Sequence, residues 1–353
     1  MSLAELTVDN VRCLEHVELT LHPRHNLIWG GNGSGKTSLL EAIFLLGRGR
    51  SFRTRNSERL IRHAQPQLVV FGRTASALPQ SLGIQVSRTE GTRARISGAT
   101  TASLTELSQA FPVQVIDPGI HKLVEEGGHR RRRWLDWAVF HVEPSFADHW
   151  IRYTRALKQR NAALKSQPAH AHVWDAELAR LGELIAEARR NLLERLQPYW
   201  RSSVASLSGL DVELHYTRGW AQDVPLLQAL QGSSARDQLK GVTHPGPHRG
   251  DILIRLNGRP AREVLSRGQQ KLVAIAMTLA QLDLLQEVTQ PTPTLLLDDP
   301  AAELDGEHLS TFIARVKELQ CQLVVTALQE DFSSFGTPDR MFHVEQGQVH
   351  PVV

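Results

Sequence analysis

Residues 30–37 read Gly-Gly-Asn-Gly-Ser-Gly-Lys-Thr and match the phosphate-binding pattern G-x-x-x-x-G-K-S/T. The stretch follows an apolar run, Leu27-Ile28-Trp29, that predicts a strand, and precedes a predicted helix from Lys36. Glycines let backbone N–H groups turn towards phosphates, and the helix N-terminus adds partial positive charge. The lysine of this pattern reaches the β- and γ-phosphates, and the threonine ligates Mg²⁺. The predicted triphosphate site comprises Gly30, Gly31, Asn32, Gly33, Ser34, Gly35, Lys36, Thr37 and Ser38.

A second chemical pattern lies far downstream, where the apolar run Leu295-Leu296-Leu297 ends in Asp298 and Asp299. In phosphoryl-transfer sites one carboxylate holds Mg²⁺ and another group orients the attacking water. We therefore assign Asp298 to the metal, with Thr37, and Asp299 to catalysis, with Lys36. A buried strand that ends in an acidic turn is the plain alternative, but the upstream phosphate-binding loop favours the functional interpretation.

A third pattern, Leu265-Ser266-Arg267-Gly268-Gln269, opens a predicted helix. Apolar residues recur along that helix at Leu272, Ile275 and Leu279, the spacing of a buried helical face. Ser266 can cap the helix, so a well-capped core helix is the structural alternative.

Composition excludes several classes of protein. The 353 residues are 41% hydrophobic and 22% charged, which excludes a disordered or fibrous chain. A formal net charge of +3 is too small to identify a polyanion-binding protein by itself, and the two cysteines form no metal or disulfide pattern. No apolar stretch approaches the roughly 18 residues that span a bilayer, and no signal segment is apparent. We expect a cytoplasmic location.

Strand and helix patterns alternate at both ends of the chain, whereas helix formers dominate from about residue 130 to residue 199. This predicts an α/β fold with an ATPase lobe on a mixed sheet and a mostly helical second lobe, the arm. We place the ATPase lobe at residues 1–120 and 288–353, and the arm at residues 121–287. One clear strand, Val212 to Tyr216, is predicted between residues 201 and 250.

The order of these motifs, ending in Pro300-Ala301-Ala302-Glu303-Leu304-Asp305, resembles the ABC-type ATPase heads of transporters and of SMC-like chromosome and repair proteins. The resemblance implies an SMC head-like fold with a composite site, in which the signature of one copy contacts ATP held by a second copy. It implies that Gln114 lies near Mg²⁺ and the attacking water and takes part in catalysis. The further nucleotide-binding residues that it implies are Arg12, Ser266, Arg267, Gly268, Gln269 and Asp305.

Several other stretches are together similar to the RecF family of bacterial recombination mediators. They include Val8-Asp9-Asn10-Val11-Arg12, Arg133-Trp134-Leu135-Asp136-Trp137, Lys158 to Leu164 and Gly246-Pro247-His248-Arg249. This resemblance covers essentially the whole chain. It implies an ATP-driven homodimer that binds DNA in replication and recombinational repair. It also implies action with RecR and RecO to help RecA load at single-strand gaps, and a place in the SOS response to DNA damage.

Two positions depart from the wider ABC pattern. Asp299 stands where most such ATPases carry glutamate, and its carboxylate is one methylene farther from the water, so we expect slow hydrolysis of ATP to ADP and phosphate. The family resemblance implies that DNA stimulates this hydrolysis. After the predicted strand Leu323 to Thr326, where many ABC proteins place a histidine, the chain reads Ala327-Leu328. No histidine is assigned to sense the γ-phosphate.

Three clusters of arginine suggest contacts to DNA phosphates. Their density suits a surface that binds the backbone without reading bases, although each cluster alone also fits a solvated face or a set of ion pairs. Arg130 to Arg133 cannot share one helix face, so at least one of them makes an internal contact. The candidate DNA contacts are Arg48, Arg50, Arg53, Arg55, Arg130, Arg131, Arg152 and Arg155.

Three alternatives stay open at this point. The first is the ATPase subunit of a membrane transporter, which shares the motifs. The second is a non-hydrolysing, nucleotide-gated DNA-binding scaffold, in which Asp299 is only an acidic turn residue. The third concerns His244-Pro245-Gly246-Pro247-His248, where a zinc site is conceivable but a stiffened turn explains the prolines better.

Overall fold

The structure is a computed structural model that describes residues 2–75, 78–101, 104–288, 293–330 and 335–352, with residues 104 and 105 described by their backbone alone. Contacts divide the chain into two compact units, Met1–Ile120 with Leu285–Val353, and His121–Leu284.

The described strands are β1 (Ser2–Val11), β2 (Leu14–Thr20), β3 (His25–Trp29), β4 (Gln67–Ala75), β5 (Ser81–Ser87), β6 (Gly91–Ile96), β7 (Ala99–Thr100), β8 (Val113–Ile116), β9 (Val212–Thr217), β10 (Asp251–Leu256), β11 (Arg259–Pro260), β12 (Thr294–Leu297), β13 (Gln322–Ala327), β14 (Arg340–Glu345) and β15 (Gln348–Pro351). The described α-helices are α1 (Lys36–Arg48), α2 (Leu104–Ala110), α3 (Lys122–Glu125), α4 (Gly128–Val142), α5 (Phe146–Ser166), α6 (Asp175–Ser208), α7 (Leu226–Gly232), α8 (Ser234–Lys240), α9 (Ala261–Val264), α10 (Arg267–Val288) and α11 (Gly306–Glu318). Short 3₁₀ turns lie at Ser57–Leu60, Pro168–Trp174, Pro247–Arg249 and Pro300–Ala302.

The first unit contains an antiparallel sheet in the order β2-β1-β4-β5-β6-β7. Its strands alternate apolar and polar positions and therefore bury one face. On β4, for example, Leu68 and Val70 are fully buried while Val69 between them is partly exposed.

A second sheet in the same unit has the order β15-β14-β3-β13-β12-β8, and its strands from β14 to β8 run parallel. All four residues of β12 are buried, as expected for a parallel strand covered on both faces. One hydrophobic core joins both sheets to helix α1. The carboxyl ends of β3, β13 and β12 therefore lie side by side. The phosphate-binding loop follows β3, Leu328 follows β13 and Asp298 follows β12.

The second unit is mostly helical, and α6 is its longest helix. Apolar residues recur along α6 with helical periodicity, and Leu178, Leu181, Ile185 and Leu196 are almost completely buried. The predicted strand Val212 to Tyr216 corresponds to β9, but the structure adds β10 and β11 in a three-stranded sheet of order β11-β10-β9. Within the described residues, no helix combines the length and the apolar character that crossing a membrane requires.

Candidate nucleotide-binding site

The phosphate-binding loop, residues 30–37, lies between β3 and α1 as the sequence predicts. A side chain is excluded at Gly30, because a Cβ there would lie 2.1 Å from the carbonyl oxygen of Val344. Gly33 has φ +75, a conformation that glycine adopts without steric cost. These constraints leave a backbone loop at the N-terminus of a helix, which is a ready-made anion site.

Lys36 is the first residue of α1 and is 8% exposed. Its Nζ donates hydrogen bonds to the carbonyl oxygens of Gly30 at 2.6 Å and Gly31 at 2.9 Å. Burial lowers the pKa of Lys36, and the nearby Asp299 and Asp298 oppose this shift. The ammonium group is thus held at the loop by neutral acceptors, close to two carboxylates.

Asp298 joins the two halves of the predicted site. It follows β12, its backbone N–H donates to the carbonyl oxygen of Ile116, and the residue is 8% exposed. The Thr37 hydroxyl lies 3.0 Å from Oδ1 and 3.1 Å from Oδ2 of Asp298. A hydroxyl and a carboxylate this close together are the oxygen ligands that Mg²⁺ prefers, so these residues fit that ion.

Asp299 has φ 49 and ψ 58, a left-handed conformation that non-glycine residues seldom adopt. Burial raises the pKa of Asp299, the charge of Lys36 opposes that shift, and Asp298 adds to it. A carboxylate with a raised pKa is a stronger proton acceptor once ionised, which suits the assignment to catalysis.

Gln114 is the second residue of β8, and this position bears on the expectation that it lies near Mg²⁺ and the attacking water. On β8 it is opposite Leu295, whereas Ile116 is opposite Leu297 and accepts the N–H of Asp298. At the usual rise per residue, Gln114 is about 10 Å before the level of Asp298. The strand ends at Ile116 and Asp117 follows it. The register therefore argues against Gln114 as a ligand of Mg²⁺ or a catalytic group.

Arg12 is held by Glu41 of α1 in a two-pronged ion pair. Its Nε and Nη2 donate to the two carboxylate oxygens, each at 3.0 Å. Glu41 is fully buried and also accepts from Ser51 at 2.6 Å. The pair fixes Arg12 beside the helix that begins at Lys36, and the Arg12 side chain stays 30% exposed.

The signature forms the predicted cap of α10. Ser266 Oγ accepts the backbone N–H of Gln269 at 3.3 Å, and Gln269 Oε1 accepts the N–H of Ser266 at 3.0 Å. This reciprocal pair is a capping box. Ser266, Arg267 and Gly268 are exposed, and a Cβ at Gly268 would lie more than 4 Å from every other atom in the part of the chain that the structure describes.

Asp305 caps another helix, α11, through a hydrogen bond from the His308 backbone N–H at 3.1 Å. That bond is the main cause of a lowered pKa of the Asp305 carboxyl group. Asp305 is exposed, so its side chain caps the helix and is also accessible to solvent.

Comparison with known proteins gives the family. A family model described as the RecF/RecN/SMC N terminal domain matches residues 2–350. A relative from Pseudomonas aeruginosa (strain LESB58), described as DNA replication and repair protein RecF, is 41% identical over 359 aligned positions, covering 99% of this chain and 97% of the relative. The chain belongs to the RecF family. A relative of the same description from Pseudomonas syringae pv. tomato is 40% identical over 99% of this chain and 98% of its own.

Solved structures agree with this assignment. A structure of the recombination mediator protein RecF with ATP, in the RecFOR pathway, is similar with a TM-score of 0.91 and 28% identity, covering 100% of this chain and 98% of that one. An SMC head bound to a domain of ScpA is similar with a TM-score of 0.58 at 16% identity, which supports the fold alone. The predicted α/β, SMC head-like fold is confirmed.

The arginines considered for this RecF family member as DNA contacts differ in their surroundings. Arg131 donates to both oxygens of Asp251 at 2.9 Å and to the carbonyl oxygen of Glu126 at 2.6 Å, and is almost fully buried. We therefore remove Arg131 from the candidate DNA contacts. Arg130 pairs with Glu126, and Arg132 donates to the carbonyl oxygen of Gly250.

The remaining candidates are partly or fully accessible. Arg53 and Arg55 are exposed after α1, and Arg48 and Arg50 are partly exposed. Arg152 and Arg155 are exposed on α5, where Arg152 pairs with Glu177 at 2.7 Å. A surface pair of this kind is weak, about 0–1 kcal/mol, so it leaves Arg152 available to phosphates.

The two histidines of the His244–His248 turn serve the structure of the arm. His244 Nδ1 lies 2.7 Å from Oδ1 of Asp237, and His248 Nδ1 lies 2.7 Å from the Tyr153 hydroxyl. Burial lowers the pKa of His248 to about 4. Across the described residues, no group of three or more histidine, cysteine, aspartate or glutamate side chains is arranged to hold a metal ion.

Sequence reasoning missed two residues of the site. Glu41 orders Arg12, and its signal was an acidic residue among the apolar positions of the helix after the loop. Thr326, at the end of β13, lies against both Asp298 and Asp299, and no local pattern marks it.

Proposed function

We propose that this chain binds ATP with Mg²⁺ and acts as an ATP-driven homodimer on DNA, in bacterial recombinational repair and replication. The observation that carries the proposal is the contact between Thr37 and both oxygens of Asp298. It brings a hydroxyl of the phosphate-binding loop to a carboxylate 261 positions away. The high similarity to relatives described as DNA replication and repair protein RecF supports the cellular role.

Each residue of the site has a role in this proposal. The loop N–H groups and Lys36 bind the phosphates, Thr37 and Asp298 hold Mg²⁺, and Asp299 orients and deprotonates the attacking water. When bound, Mg²⁺ neutralises charge on the β- and γ-phosphate oxygens. Arg12, held by Glu41, adds positive charge beside the loop. The side chain of Asp299 is one methylene shorter than that of glutamate, so hydrolysis is slow. A slow ATPase suits a molecular switch.

Dimerisation is proposed to depend on the signature. Glycine within a helix costs roughly 0.5–1 kcal/mol relative to alanine, yet none of the described residues crowds Gly268. Packing within the described chain therefore does not account for glycine here, and its lack of a side chain would let the phosphates held by a second copy approach the start of α10. Ser266 and Gly268 contact the γ-phosphate in trans, and Asp305 lies at the same interface. The ATPase lobe of the proposal comprises residues 1–120 and 288–353, and the arm residues 121–287.

The proposed DNA surface consists of Arg48, Arg50, Arg53, Arg55, Arg130, Arg152 and Arg155. These side chains bind phosphates, so affinity falls steeply with added salt. A relative's structure is described within the RecFOR pathway. We accordingly propose cytoplasmic action with RecO and RecR, which helps RecA load at single-strand gaps and links the protein to the SOS response.

Light scattering with ATP, ADP or no nucleotide tests the dimer. We expect a dimer with ATP and a monomer with ADP, because only the γ-phosphate contacts the signature in trans. Ser266→Arg is expected to bind ATP as a monomer and to stay monomeric. An identical mass in all three states of the wild type would reject the switch.

ATP turnover with and without DNA separates the enzyme from a non-hydrolysing scaffold. We expect slow turnover that DNA stimulates, and a loss of at least about 10²-fold in Asp299→Asn. Asparagine tolerates the left-handed backbone of this position, so the variant is expected to fold. Absent turnover in the wild type under every condition would favour the scaffold.

A further inference from the structure

Thr326 contacts the Asp298 carboxylate and the backbone N–H of Asp299 from a neighbouring strand. Because Leu297 on β12 is opposite Val325 on β13, the next residues on the two strands, Asp298 and Thr326, are level. Thr326 is fully buried. Its Oγ1 lies 3.0 Å from Oδ1 of Asp298 and 2.9 Å from the backbone nitrogen of Asp299.

The chemistry of a hydroxyl decides the direction of these bonds. A hydroxyl has one proton to donate and lone pairs to accept. The backbone N–H of Asp299 can only donate, so Thr326 accepts there and directs its own proton to Asp298. The Leu297 carbonyl oxygen is a longer alternative acceptor at 3.4 Å.

Each bond has a separate consequence. The proton donated to Oδ1 restricts rotation of the Asp298 carboxylate, which the Thr37 hydroxyl approaches from the phosphate-binding loop. The bond accepted from Asp299 pairs an N–H group in a strained left-handed turn, where an unpaired buried group costs about 1–3 kcal/mol. One side chain thus orients the carboxylate assigned to the metal and fixes the backbone of the carboxylate assigned to catalysis.

We propose that Thr326 is the positioning residue that sets the Asp298 and Asp299 carboxylates for Mg²⁺ binding and for hydrolysis. It acts through the two aspartates and does not touch ATP. The inference rests on the proposed function for the roles of the aspartates, whereas the contacts that define it belong to the chain itself.

Thr326→Val is the decisive variant, because valine keeps the branched shape and replaces the hydroxyl with a methyl group. Loss of a hydrogen-bond partner behind a metal ligand typically costs 10–100-fold in metal affinity or activity. We expect roughly that increase in the Mg²⁺ concentration needed for half-maximal binding of a fluorescent ATP analogue. Binding of the analogue in excess EDTA should stay within about twofold of the wild type. Thr326→Ser keeps the hydroxyl and should restore the Mg²⁺ requirement.

Thr294→Val is the matched control. Thr294 is also fully buried, and it donates to Gln322 Oε1 at 3.0 Å at the opposite end of β12. It lies about 13 Å along the strand from Asp298. The control should keep the wild-type Mg²⁺ requirement although it also loses one buried hydrogen bond.

Turnover supplies the second readout. At saturating Mg²⁺ and ATP, we expect Thr326→Val to lower kcat about tenfold or more without a matching rise in KM, and Thr326→Ser to recover it. An unchanged Mg²⁺ requirement in Thr326→Val, or an equal change in Thr294→Val, would overturn the inference. Absent wild-type turnover would count against hydrolysis in the proposed function, and the Mg²⁺ titration would still decide the role of Thr326.

Discussion

Two regions of this molecule bury charged side chains, and they satisfy them differently. In the arm, Arg160 donates to Asp175 and Asp237, each at 2.7 Å, and to the Thr243 hydroxyl. Arg160 and Asp237 are 1% and 0% exposed. In the phosphate-binding loop, Lys36 is bonded to two neutral carbonyl oxygens.

The contrast separates structural from functional charge. A buried ion pair whose partners all lie within the chain holds elements together, here α5, α6 and α8. A buried cation held by neutral acceptors retains electrostatic capacity for an anionic ligand. The sequence does not distinguish a structural cation such as Arg160 from a ligand-binding cation such as Lys36. The groups that each side chain contacts in the structure make that distinction.

The strongest test of this contrast removes Arg160. Arg160→Met keeps much of the side-chain volume but leaves Asp175 and Asp237 without their shared cation. Breaking a buried pair in this way costs about 3–5 kcal/mol, and we expect that loss in the free energy of unfolding, measured by urea denaturation. Arg190→Met on α6 is the control, because the Arg190–Glu187 pair is mostly exposed and at 3.6 Å. Equal losses in the two variants would contradict a structural role for the Arg160 network.

Removal of the Lys36 side-chain charge should weaken ATP binding but leave the stability of the fold nearly unchanged. We expect Lys36→Met to lose about 2–5 kcal/mol of ATP affinity, because a desolvated charge–phosphate contact disappears. Its free energy of unfolding should stay within about 1 kcal/mol of the wild type, because burial already lowers the Lys36 pKa and disfavours the charge. Titration with a fluorescent ATP analogue and urea denaturation measure the two quantities. Lys158→Met, on the exposed face of α5, should change neither.

Local patterns predicted the parts of the site that are contiguous in sequence. The loop between β3 and α1, the acidic end of β12 and the Ser266 cap of α10 each depend on neighbouring residues, and the structure contains all three. Helical geometry also indicated that the arginines from 130 to 133 could not share one face, and Arg131 and Arg132 do make internal contacts.

Long-range register explains what the sequence did not reveal. Gln114 lies on β8 as predicted, but its level relative to Asp298 depends on pairing with a strand about 180 residues away. Arg131 donates a hydrogen bond to Asp251, 120 positions away in the sequence. Thr326 donates to Asp298 from a different strand. Residues 251–256 read Asp-Ile-Leu-Ile-Arg-Leu, and β10 was not predicted because this short apolar run lacks the alternation of a half-buried strand.

Substitution of Gly268 should have a smaller effect, and it should change the stability of the monomer and the affinity of the dimer in opposite directions. Gly268→Ala adds a methyl group in open space and removes backbone entropy from the unfolded chain, so we expect the monomer to gain up to about 1 kcal/mol. The ATP-dependent dimer should weaken at least tenfold, about 1.4 kcal/mol, because that methyl group would meet the partner's phosphates. Sedimentation with ATP and thermal denaturation without it measure both effects. Gly232→Ala on α7, also in open space, should leave the dimer unchanged.

The smallest expected effect is a difference in the pH dependence of stability. Burial raises the pKa of Asp299 above its ordinary value of 3.8. Between pH 3.8 and the raised pKa, the folded chain keeps a proton that the unfolded chain has released. Above the raised pKa, ionisation of the half-buried carboxylate costs stability. Asp299→Asn should be more stable than the wild type at pH 7, by less than about 1 kcal/mol for a partly exposed group. The gain should shrink as pH falls through the raised pKa towards 3.8, measured by urea denaturation from pH 3.5 to pH 8.

Asp305 supplies a control of opposite sign. Its pKa is lowered, chiefly because the carboxylate accepts the backbone N–H of His308, so its ionised form stabilises the folded chain above the ordinary pKa of 3.8. That contribution disappears as pH falls through the lowered pKa. Asparagine caps helices about as well as aspartate, so Asp305→Asn keeps the backbone cap and removes the charge that the carboxylate presents to the His308 ring. We expect Asp305→Asn to lose stability at pH 7 where Asp299→Asn gains it, and the same sign in both variants would contradict the contrast between a carboxylate satisfied by its own helix and one desolvated beside Lys36.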